Sequence, residues 1–218
     1  RNKRSITLNL KTPEGKAIFE QLAKTADDLK MIFVYPDGGK SSWYFDSPTD
    51  SSMQYESYII KELVPYVDAN FPTKANPKSR AITGLSMGGH GGLYLAIRHS
   101  DVFGAAGSTS GGFDFRPFPK SWNLPNILGE YETNQARWYD YTVMRQVELL
   151  TNKQLAIIFD CGVDDIFIKV NRALHEKLLQ LKIDHDYIER SGGHNHAYWR
   201  SSIDFQMLFF HQFFQKNI

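Results

Sequence analysis

The chain has 218 residues, of which 42% are hydrophobic and 22% are charged, a size and composition typical of a single globular domain. Its formal net charge of +1 gives no indication of binding to nucleic acid or to an anionic membrane surface. The sequence has no run of 18 apolar residues, so we expect no membrane-spanning helix, and its single cysteine, Cys161, excludes an intrachain disulfide.

The first part of the chain alternates predicted strands and helices. Residues 6–10 fit either a short strand or a loop with two buried leucines, and residues 13–26 have the spacing of an amphipathic helix. Residues 31–35 form a continuous apolar run, which is typical of a strand buried on both faces. An aromatic loop at residues 41–52 separates this run from a predicted helix at residues 55–71. The buried face of that helix is predicted to consist of Ile59, Ile60, Leu63, Val64 and Val67.

Residues 84–88 read Gly-Leu-Ser-Met-Gly, a G-x-S-x-G sequence between a strand-like segment and a helix-like one. This context is typical of a nucleophile elbow, a sharp turn that presents a serine in a strained backbone conformation above the sheet. Ser86 is therefore the candidate nucleophile, and the Met87 amide at the helix start is a candidate donor to an oxyanion. Gly84 and Gly88 are expected to lie where a Cβ would clash between strand and helix. The alternative is a glycine-rich turn in which the serine only caps the helix.

The second half of the chain continues the alternation. Residues 111–130 form a long aromatic segment interrupted by prolines, and loops of this length are often functional. We therefore expect a lid or wall beside Ser86, in which Trp122 either bounds the substrate site or serves only as packing. The other predicted elements are strands at residues 102–108, 155–159 and 185–190 and helices at residues 135–150, 167–181 and 197–214. Strands that alternate with helices predict a mostly parallel sheet with helices on both faces.

Three polar residues follow predicted strand ends: Ser86, Asp165 and His194. In parallel sheets the reactive groups gather at the carboxyl ends of the strands, so we expect these three residues to share one site. A serine hydroxyl needs a base within hydrogen-bonding reach, and the base needs a carboxylate that fixes its tautomer. The order Ser, Asp, His along the chain is the order found in α/β-hydrolases.

Other residues compete for the roles of base and acid. His196 lies two residues beyond His194 and is its main rival. His90 is too close in sequence to Ser86 to face it as its base, and surface or core roles suffice for the remaining four histidines. Asp164 is adjacent to Asp165, and only one of the two can face the histidine. Asp160, at the end of a predicted strand, is expected to be structural. A metal site built on His194, His196 and either Asp164 or Asp165 lacks a further strong ligand at a suitable spacing.

Several segments together resemble one known family. Residues 84–92 read Gly-Leu-Ser-Met-Gly-Gly-His-Gly-Gly, residues 160–165 read Asp-Cys-Gly-Val-Asp-Asp, and residues 191–199 read Ser-Gly-Gly-His-Asn-His-Ala-Tyr-Trp. With the loop at residues 34–46, they resemble the esterase D group of α/β-hydrolases. That group includes S-formylglutathione hydrolases, tributyrin esterases, feruloyl and acetylxylan esterases of carbohydrate esterase family 1, and mycolyltransferases of the antigen 85 type. The resemblance implies an α/β-hydrolase fold from about residue 30 onward.

The resemblance also implies that Asp165 is the acid and His194 the base of a serine esterase. The expected reaction is hydrolysis of short-acyl esters, or of feruloyl or acetyl esters of carbohydrates, through an acyl-enzyme, with no metal and no cofactor. The alternatives are a thioesterase similar to S-formylglutathione hydrolase and a non-catalytic binding protein with the same cleft. The expected partner is a small-molecule or carbohydrate ester, and a secreted or periplasmic location is favoured over a cytoplasmic one.

One departure from the family concerns the start of the chain. Family members carry an upstream strand that ends in an oxyanion loop, and nothing before residue 30 matches it. We therefore expect residues 1–218 to be a single esterase domain that lacks its N-terminal strands, with the Gly38 or Gly39 amide as a conceivable substitute donor. The apolar run at residues 31–35 would then lie at a bare sheet edge, which a second copy in a homo-oligomer would cover.

Overall fold

The structure of the chain is a computed structural model, and it describes residues 31–217. The segments at residues 6–10 and 13–26, for which a strand or loop and a helix are predicted, lie outside the described residues.

Parallel strands form the centre of the described structure. They are β1 (Ala81–Ile82), β2 (Ala105–Thr109), β3 (Ala156–Gly162) and β4 (Asp186–Arg190). They pair in the order β1-β2-β3-β4, and the register aligns Ala81 with Ala105 and Ile158 with Asp186. Because all of these strands run the same way, their carboxyl ends lie at one edge, and the predicted parallel sheet is confirmed.

Helices connect the successive strands. The described helices are α1 (Tyr55–Ser57), α2 (Val64–Asn70), α3 (Met87–Arg98), α4 (Leu124–Leu128), α5 (Gln135–Asp140), α6 (Val143–Gln146), α7 (Ile168–Gln180) and α8 (His196–Gln215). A π-helical segment, Tyr58–Leu63, joins α1 to α2, and short 3₁₀ segments lie at Pro77–Ser79, Tyr131–Thr133 and Val147–Leu149. Within residues 31–217, no helix combines the length and the apolar character that crossing a lipid bilayer requires.

The helices cover both faces of the sheet. On β3, Ile157 and Phe159 belong to a core cluster that includes buried residues of α3 and α7. Ile158, between them, packs instead with Met207 and Phe210 of α8. Side chains alternate between the two faces along a strand, so α3 and α7 lie on one face and α8 lies on the other. The predicted helices on both faces are confirmed.

The apolar run at residues 31–35 does not form a strand, so that prediction is wrong. Ile32 and Val34 are 43% and 41% exposed, whereas Phe33 and Tyr35 are half-buried and pack against the core cluster of α8. A strand buried on both faces needs hydrogen-bonded neighbours, and none of the described strands pairs with this run. Phe33 and Tyr35 therefore cover the core cluster of α8, while Ile32 and Val34 are exposed.

Two predicted helices differ from the structure in detail. Instead of one helix over residues 135–150, α5 ends at Asp140 and Thr142 starts α6 by accepting a hydrogen bond from the Arg145 amide at 3.1 Å. A threonine hydroxyl that caps the backbone in this way favours a new helix start. The predicted helix at residues 55–71 is present over residues 55–70, but only Ile59 of its predicted buried face is fully buried.

Close packing of the backbone leaves no room for a side chain at only one of the two glycines of the G-x-S-x-G sequence. A Cβ at Gly84 would lie 2.4 Å from the Gly88 carbonyl oxygen, so the backbone would have to shift. A Cβ at Gly88 would have its nearest neighbour, the Tyr44 ring, at 3.9 Å, an ordinary contact. The expected clash is confirmed at Gly84 and wrong at Gly88, because the Cβ position of Gly88 faces a side chain and not the strand.

We predict that Gly84→Ala lowers the free energy of unfolding by about 1–3 kcal/mol, because two backbone segments must separate to admit the methyl group. The matched control, Gly88→Ala, should leave this free energy unchanged or raise it by up to about 1 kcal/mol, since alanine favours a helix more than glycine does. Urea denaturation measures both values. Equal losses in the two variants would contradict the asymmetry between the two glycines.

Candidate active site

Ser86 lies at the turn between β1 and α3. Its backbone has φ 55° and ψ −116°, a conformation that is strained for a residue with a side chain. The Ser86 amide donates to the Thr109 carbonyl at 2.9 Å, and the Thr109 amide donates to the Gly84 carbonyl at 2.9 Å. The Ser86 carbonyl accepts from the His90 amide at 3.0 Å within α3. These bonds fix the serine at the carboxyl edge of the sheet.

Asp165 lies in the turn that follows β3. Its amide donates to the Gly162 carbonyl at 3.1 Å, and its side chain accepts from the Phe167 amide at 2.8 Å just before α7. The residue is only 3% exposed. Burial alone would raise the pKa of this carboxyl, but hydrogen bonds from His194, the Phe167 amide and Ser110 outweigh burial and lower the pKa below its usual value. Asp165 is therefore ionised at neutral pH.

His194 lies in the loop between β4 and α8. The Asp164 amide donates to the Gly192 carbonyl at 2.9 Å, which ties this loop to the turn that carries Asp165. The Nδ1 atom of His194 lies 3.0 Å from each carboxylate oxygen of Asp165, and its Nε2 atom lies 2.9 Å from the Ser86 hydroxyl oxygen. An ionised carboxylate can only accept, so Nδ1 carries the proton and Nε2 accepts from the hydroxyl. The structure thus brings together the three residues that the sequence analysis assigned to one site.

The competing residues lie away from this hydrogen-bonded path. Asp164 and His196 are exposed to solvent. Asp160 is buried in β3, where its carboxylate accepts from the Thr109 and Ser202 hydroxyls at 3.0 and 2.7 Å. Among the described residues, no group of three or more histidine, cysteine, aspartate or glutamate side chains is arranged to hold a metal ion.

The backbone donors expected around Ser86 differ in their availability. Met87 is the first residue of α3, and the amides in the first turn of a helix have no acceptor within it. This position agrees with that of the predicted oxyanion donor. The Gly39 amide, one of the conceivable second donors, donates to Asp37 Oδ1 at 2.8 Å, so it is already engaged.

Aromatic side chains pack around the histidine. The Phe167 and Trp199 rings lie edge-on to the His194 ring, with centroids 5.3 and 5.0 Å away. The Trp122 ring contacts Phe167 at 5.3 Å and Trp43 at 5.5 Å, and the residue is 36% exposed. Trp122, which was predicted to line the substrate site, is therefore separated from His194 by the Phe167 ring, and part of its surface is exposed to solvent.

The sequence analysis did not identify Phe167, Trp199 or Ser110 as residues of this site. A signal was available for the first two, because Phe167 follows Asp165 by two residues and Trp199 follows His194 by five. An aromatic residue at the start of the helix after a site loop lies close to that loop. Ser110 had no comparable signal, since its position depends on where β2 ends.

Comparison with known proteins identifies the family. The Esterase family model, described as "Putative esterase", matches residues 11–210. The chain belongs to the Esterase family. Esterase MT1326 of Mycobacterium tuberculosis is 30% identical over 190 residues, which are 75% of this chain and 41% of that protein.

Two other relatives have names that state an activity. S-formylglutathione hydrolase of Mus musculus is 24% identical over 176 residues, which are 72% of this chain and 61% of that protein. An endo-1,4-beta-xylanase/feruloyl esterase of Xylanibacter ruminicola is 44% identical over 102 residues, which are 45% of this chain and 14% of that protein. The chain thus spans less than two thirds of the length of each of these relatives.

Solved structures show the same fold. A ferulic acid esterase superimposes with a TM-score of 0.63 at 26% identity, over 78% of this chain and 64% of that one. MPT51 of Mycobacterium tuberculosis superimposes with a TM-score of 0.78 at 18% identity, over 88% of this chain and 80% of that one. The fold is that of the α/β-hydrolases, as expected.

His90 lies in α3, close in sequence to Ser86, and is fully buried away from the hydrogen-bonded path. Its Nδ1 and Nε2 atoms lie 3.1 and 3.0 Å from the Trp43 and Tyr141 carbonyl oxygens. Burial lowers the pKa of His90 to about 4, although the Tyr141 and Trp43 carbonyls, which favour a protonated ring, act in the opposite direction. The neutral ring donates to only one of these two carbonyls. The histidine therefore stays neutral in the folded chain at a pH at which the unfolded chain would bind a proton.

We predict that the free energy of unfolding falls as the pH drops from 6.5 towards 4, because the unfolded chain takes up a proton that the folded chain excludes from His90. The full contribution of this group is roughly 3 kcal/mol. In His90→Gln the fall should be shallower, as urea denaturation at a series of pH values would show. His185 also has a lowered pKa, so the difference between the two proteins is the informative quantity. If the free energies of unfolding of the wild type and His90→Gln fall in parallel with pH, His90 is not responsible for the fall.

Proposed function

We propose that the chain is a serine carboxylic-ester hydrolase. The observation that carries the proposal is the continuous hydrogen-bonded path from the Ser86 hydroxyl through His194 to the buried Asp165 carboxylate. The serine lies on a strained turn at the carboxyl edge of a parallel sheet and is partly exposed to solvent. Membership of the Esterase family supports the same chemistry.

In the proposed reaction, the Ser86 oxygen attacks the ester carbonyl carbon while Nε2 of His194 takes the hydroxyl proton. His194 then gives this proton to the alkoxide oxygen of the leaving group, and the carbon–oxygen bond to the alcohol breaks. The acyl group remains bound to Ser86. A water molecule that transfers a proton to His194 attacks the acyl-enzyme, and the carboxylic acid leaves as the serine regains its proton.

Two further groups stabilise the charges that develop in these steps. The Asp165 carboxylate holds the imidazole in the required tautomer and stabilises the imidazolium that forms. The Met87 amide, at the start of α3, is the proposed donor to the oxyanion of the tetrahedral intermediate. Every step uses groups of the chain, substrate and water.

The proposed substrates are short-acyl esters, or feruloyl or acetyl esters of carbohydrates. The names of two similar proteins, a feruloyl esterase relative and a ferulic acid esterase structure, support this class. The partly exposed Trp122 ring offers apolar surface on which an aromatic acyl group or a sugar ring can stack.

A second candidate function is thioester hydrolysis similar to that of S-formylglutathione hydrolase. The relative from Mus musculus that bears this name matches 72% of the chain and favours this candidate. The same serine, histidine and aspartate would act, with a thiolate in place of the alcohol as leaving group. Parallel assays with an acyl glutathione thioester and with methyl ferulate separate the two substrate classes.

We predict that Ser86→Ala lowers kcat for p-nitrophenyl acetate by roughly 10⁴- to 10⁶-fold, because the variant lacks the hydroxyl that lies 2.9 Å from Nε2 of His194. Thermal unfolding measured in parallel should show that the variant remains folded. Turnover close to that of the wild type in a folded Ser86→Ala protein would overturn the nucleophile assignment.

Each of the other two groups has a matched neighbour as a control. We predict that His194→Ala and Asp165→Asn lose most of the turnover, because the base or its partner is removed. His196→Ala and Asp164→Asn should retain most of it, since both side chains are exposed and outside the hydrogen-bonded path. A reversed ranking within either pair would show that the wrong member had been assigned.

We predict that Trp122→Ala raises KM for methyl ferulate by about 3- to 10-fold, the value of one aromatic contact, and changes KM for p-nitrophenyl acetate less. Tyr66→Ala, which removes an exposed aromatic ring from α2, is the control and should change neither. Steady-state kinetics with both esters measure the difference. Equal effects of Trp122→Ala on the two substrates would argue against a role in binding the acyl ring.

A further inference from the structure

Two side chains meet beside the pair formed by His194 and Asp165. The Trp199 indole N–H donates to the Ser110 hydroxyl oxygen at 3.1 Å. Trp199 lies in the first turn of α8, where its amide donates to the Asn195 carbonyl at 3.2 Å. Ser110 directly follows β2 and is fully buried. The bond therefore connects the start of the helix after the histidine loop to the end of the strand beside β1.

Trp199 also contacts the histidine itself. Its ring lies edge-on to the His194 imidazole, with a centroid distance of 5.0 Å and an interplanar angle of 89°. The Phe167 ring contacts the same imidazole at 5.3 Å and 80°. Aromatic contacts of this geometry are favourable, and rotation of the imidazole would disrupt both. The orientation of the imidazole thus depends in part on where the indole is held.

The hydroxyl of Ser110 holds the indole. It accepts the Trp199 N–H at 3.1 Å and so fixes where the ring lies beside His194. Ser110 also affects the carboxylate, because burial raises the pKa of Asp165 and Ser110 is among the groups that lower it.

The backbone conformation of Ser110 would suit glycine better than a residue with a side chain. Its φ is 52°, in the left-handed region that favours glycine, and its amide donates to the Asp160 carbonyl at 2.8 Å. Glycine could make the same backbone bond with less strain. The property that serine adds at this position is its hydroxyl.

We propose that Trp199 and Ser110 are positioning residues that act as one unit on His194. The Ser110 hydroxyl accepts the indole N–H and fixes the indole, and the indole packs edge-on against the imidazole and holds its orientation. This inference rests on the proposed hydrolase function. It assigns no bond-making step to either residue.

The test compares steady-state kinetics of Trp199→Phe, Ser110→Ala and the double variant with p-nitrophenyl acetate. Trp199→Phe keeps an aromatic ring beside His194 and removes only the N–H. We expect each single variant to lose about 10-fold or more in kcat with KM nearly unchanged, because a displaced base acts on an unchanged binding site. The double variant should lose little more than the more affected single variant, since the two residues act through one contact.

Matched controls separate positioning from loss of structure. Trp138→Phe removes an indole N–H that donates to the Gly129 carbonyl at 2.8 Å, and Ser47→Ala removes a buried hydroxyl that donates to the Ile127 carbonyl at 2.8 Å. Both lie outside the site, so they should lower thermal stability and leave kcat unchanged. If Ser110→Ala fails to fold, Ser110→Gly replaces it, because glycine adopts the required φ without strain.

The outcomes distinguish this inference from the proposed function. If the wild type exceeds Ser86→Ala in turnover but Trp199→Phe and Ser110→Ala both keep the wild-type kcat, only the inference is overturned. If the double variant loses as much kcat as the product of the two single losses, Trp199 and Ser110 do not act as one unit. A wild type no faster than Ser86→Ala overturns the proposed function, and the inference falls with it.

Discussion

The carboxyl edge of the parallel sheet is the constraint on which the site depends. Ser86 follows β1, Ser110 follows β2, Asp165 lies in the turn after β3, and His194 lies in the loop after β4. These strands lie side by side in chain order, so residues from distant parts of the sequence meet at one edge. Changes in the sheet register would therefore move all of these groups relative to one another.

Backbone hydrogen bonds between neighbouring turns make this edge rigid. The strained turns at Ser86 and Ser110, with φ 55° and 52°, each donate an amide to the next strand, to the Thr109 and Asp160 carbonyls at 2.9 and 2.8 Å. Strain of this kind costs of order 1–3 kcal/mol per residue and persists only where surrounding contacts enforce it. Below the edge, the buried Asp160 carboxylate bonds to Thr109 and Ser202, which connects β2, β3 and α8. The turn that carries the Ser86 hydroxyl is thus fixed to the sheet, and the loop that carries His194 is held by the bond from the Asp164 amide to the Gly192 carbonyl.

Much of this arrangement could be predicted from the sequence because its signals are local. The alternation of apolar runs and amphipathic segments indicates a parallel sheet, and the glycines around Ser86 indicate a sharp turn after a strand. The choice between Asp164 and Asp165 could not be made from the residues themselves, and it came from the family resemblance. In the structure, the amide of Phe167 donates to the Asp165 side chain and turns it inward, an effect of the turn geometry and not of composition.

The parts that could not be predicted depend on three-dimensional neighbours. The apolar residues 31–35 indicated burial correctly for Phe33 and Tyr35, but composition does not say whether a strand is available for pairing. Spacing likewise does not say where the Cβ of Gly88 points. The contact between Trp199 and Ser110 joins residues 89 positions apart, and nothing in either segment alone indicates it.

We propose that His194 makes Ser86 nucleophilic, and covalent labelling tests this role most directly. An alkyl fluorophosphonate forms a phosphorus–oxygen bond with an activated serine and releases fluoride, so mass spectrometry of the intact chain and of its peptides reports where it reacts. We expect one adduct per chain, located on Ser86, with labelling strongly slowed in folded His194→Ala. The absence of an adduct on Ser86, or equal labelling rates in the wild type and His194→Ala, would contradict it.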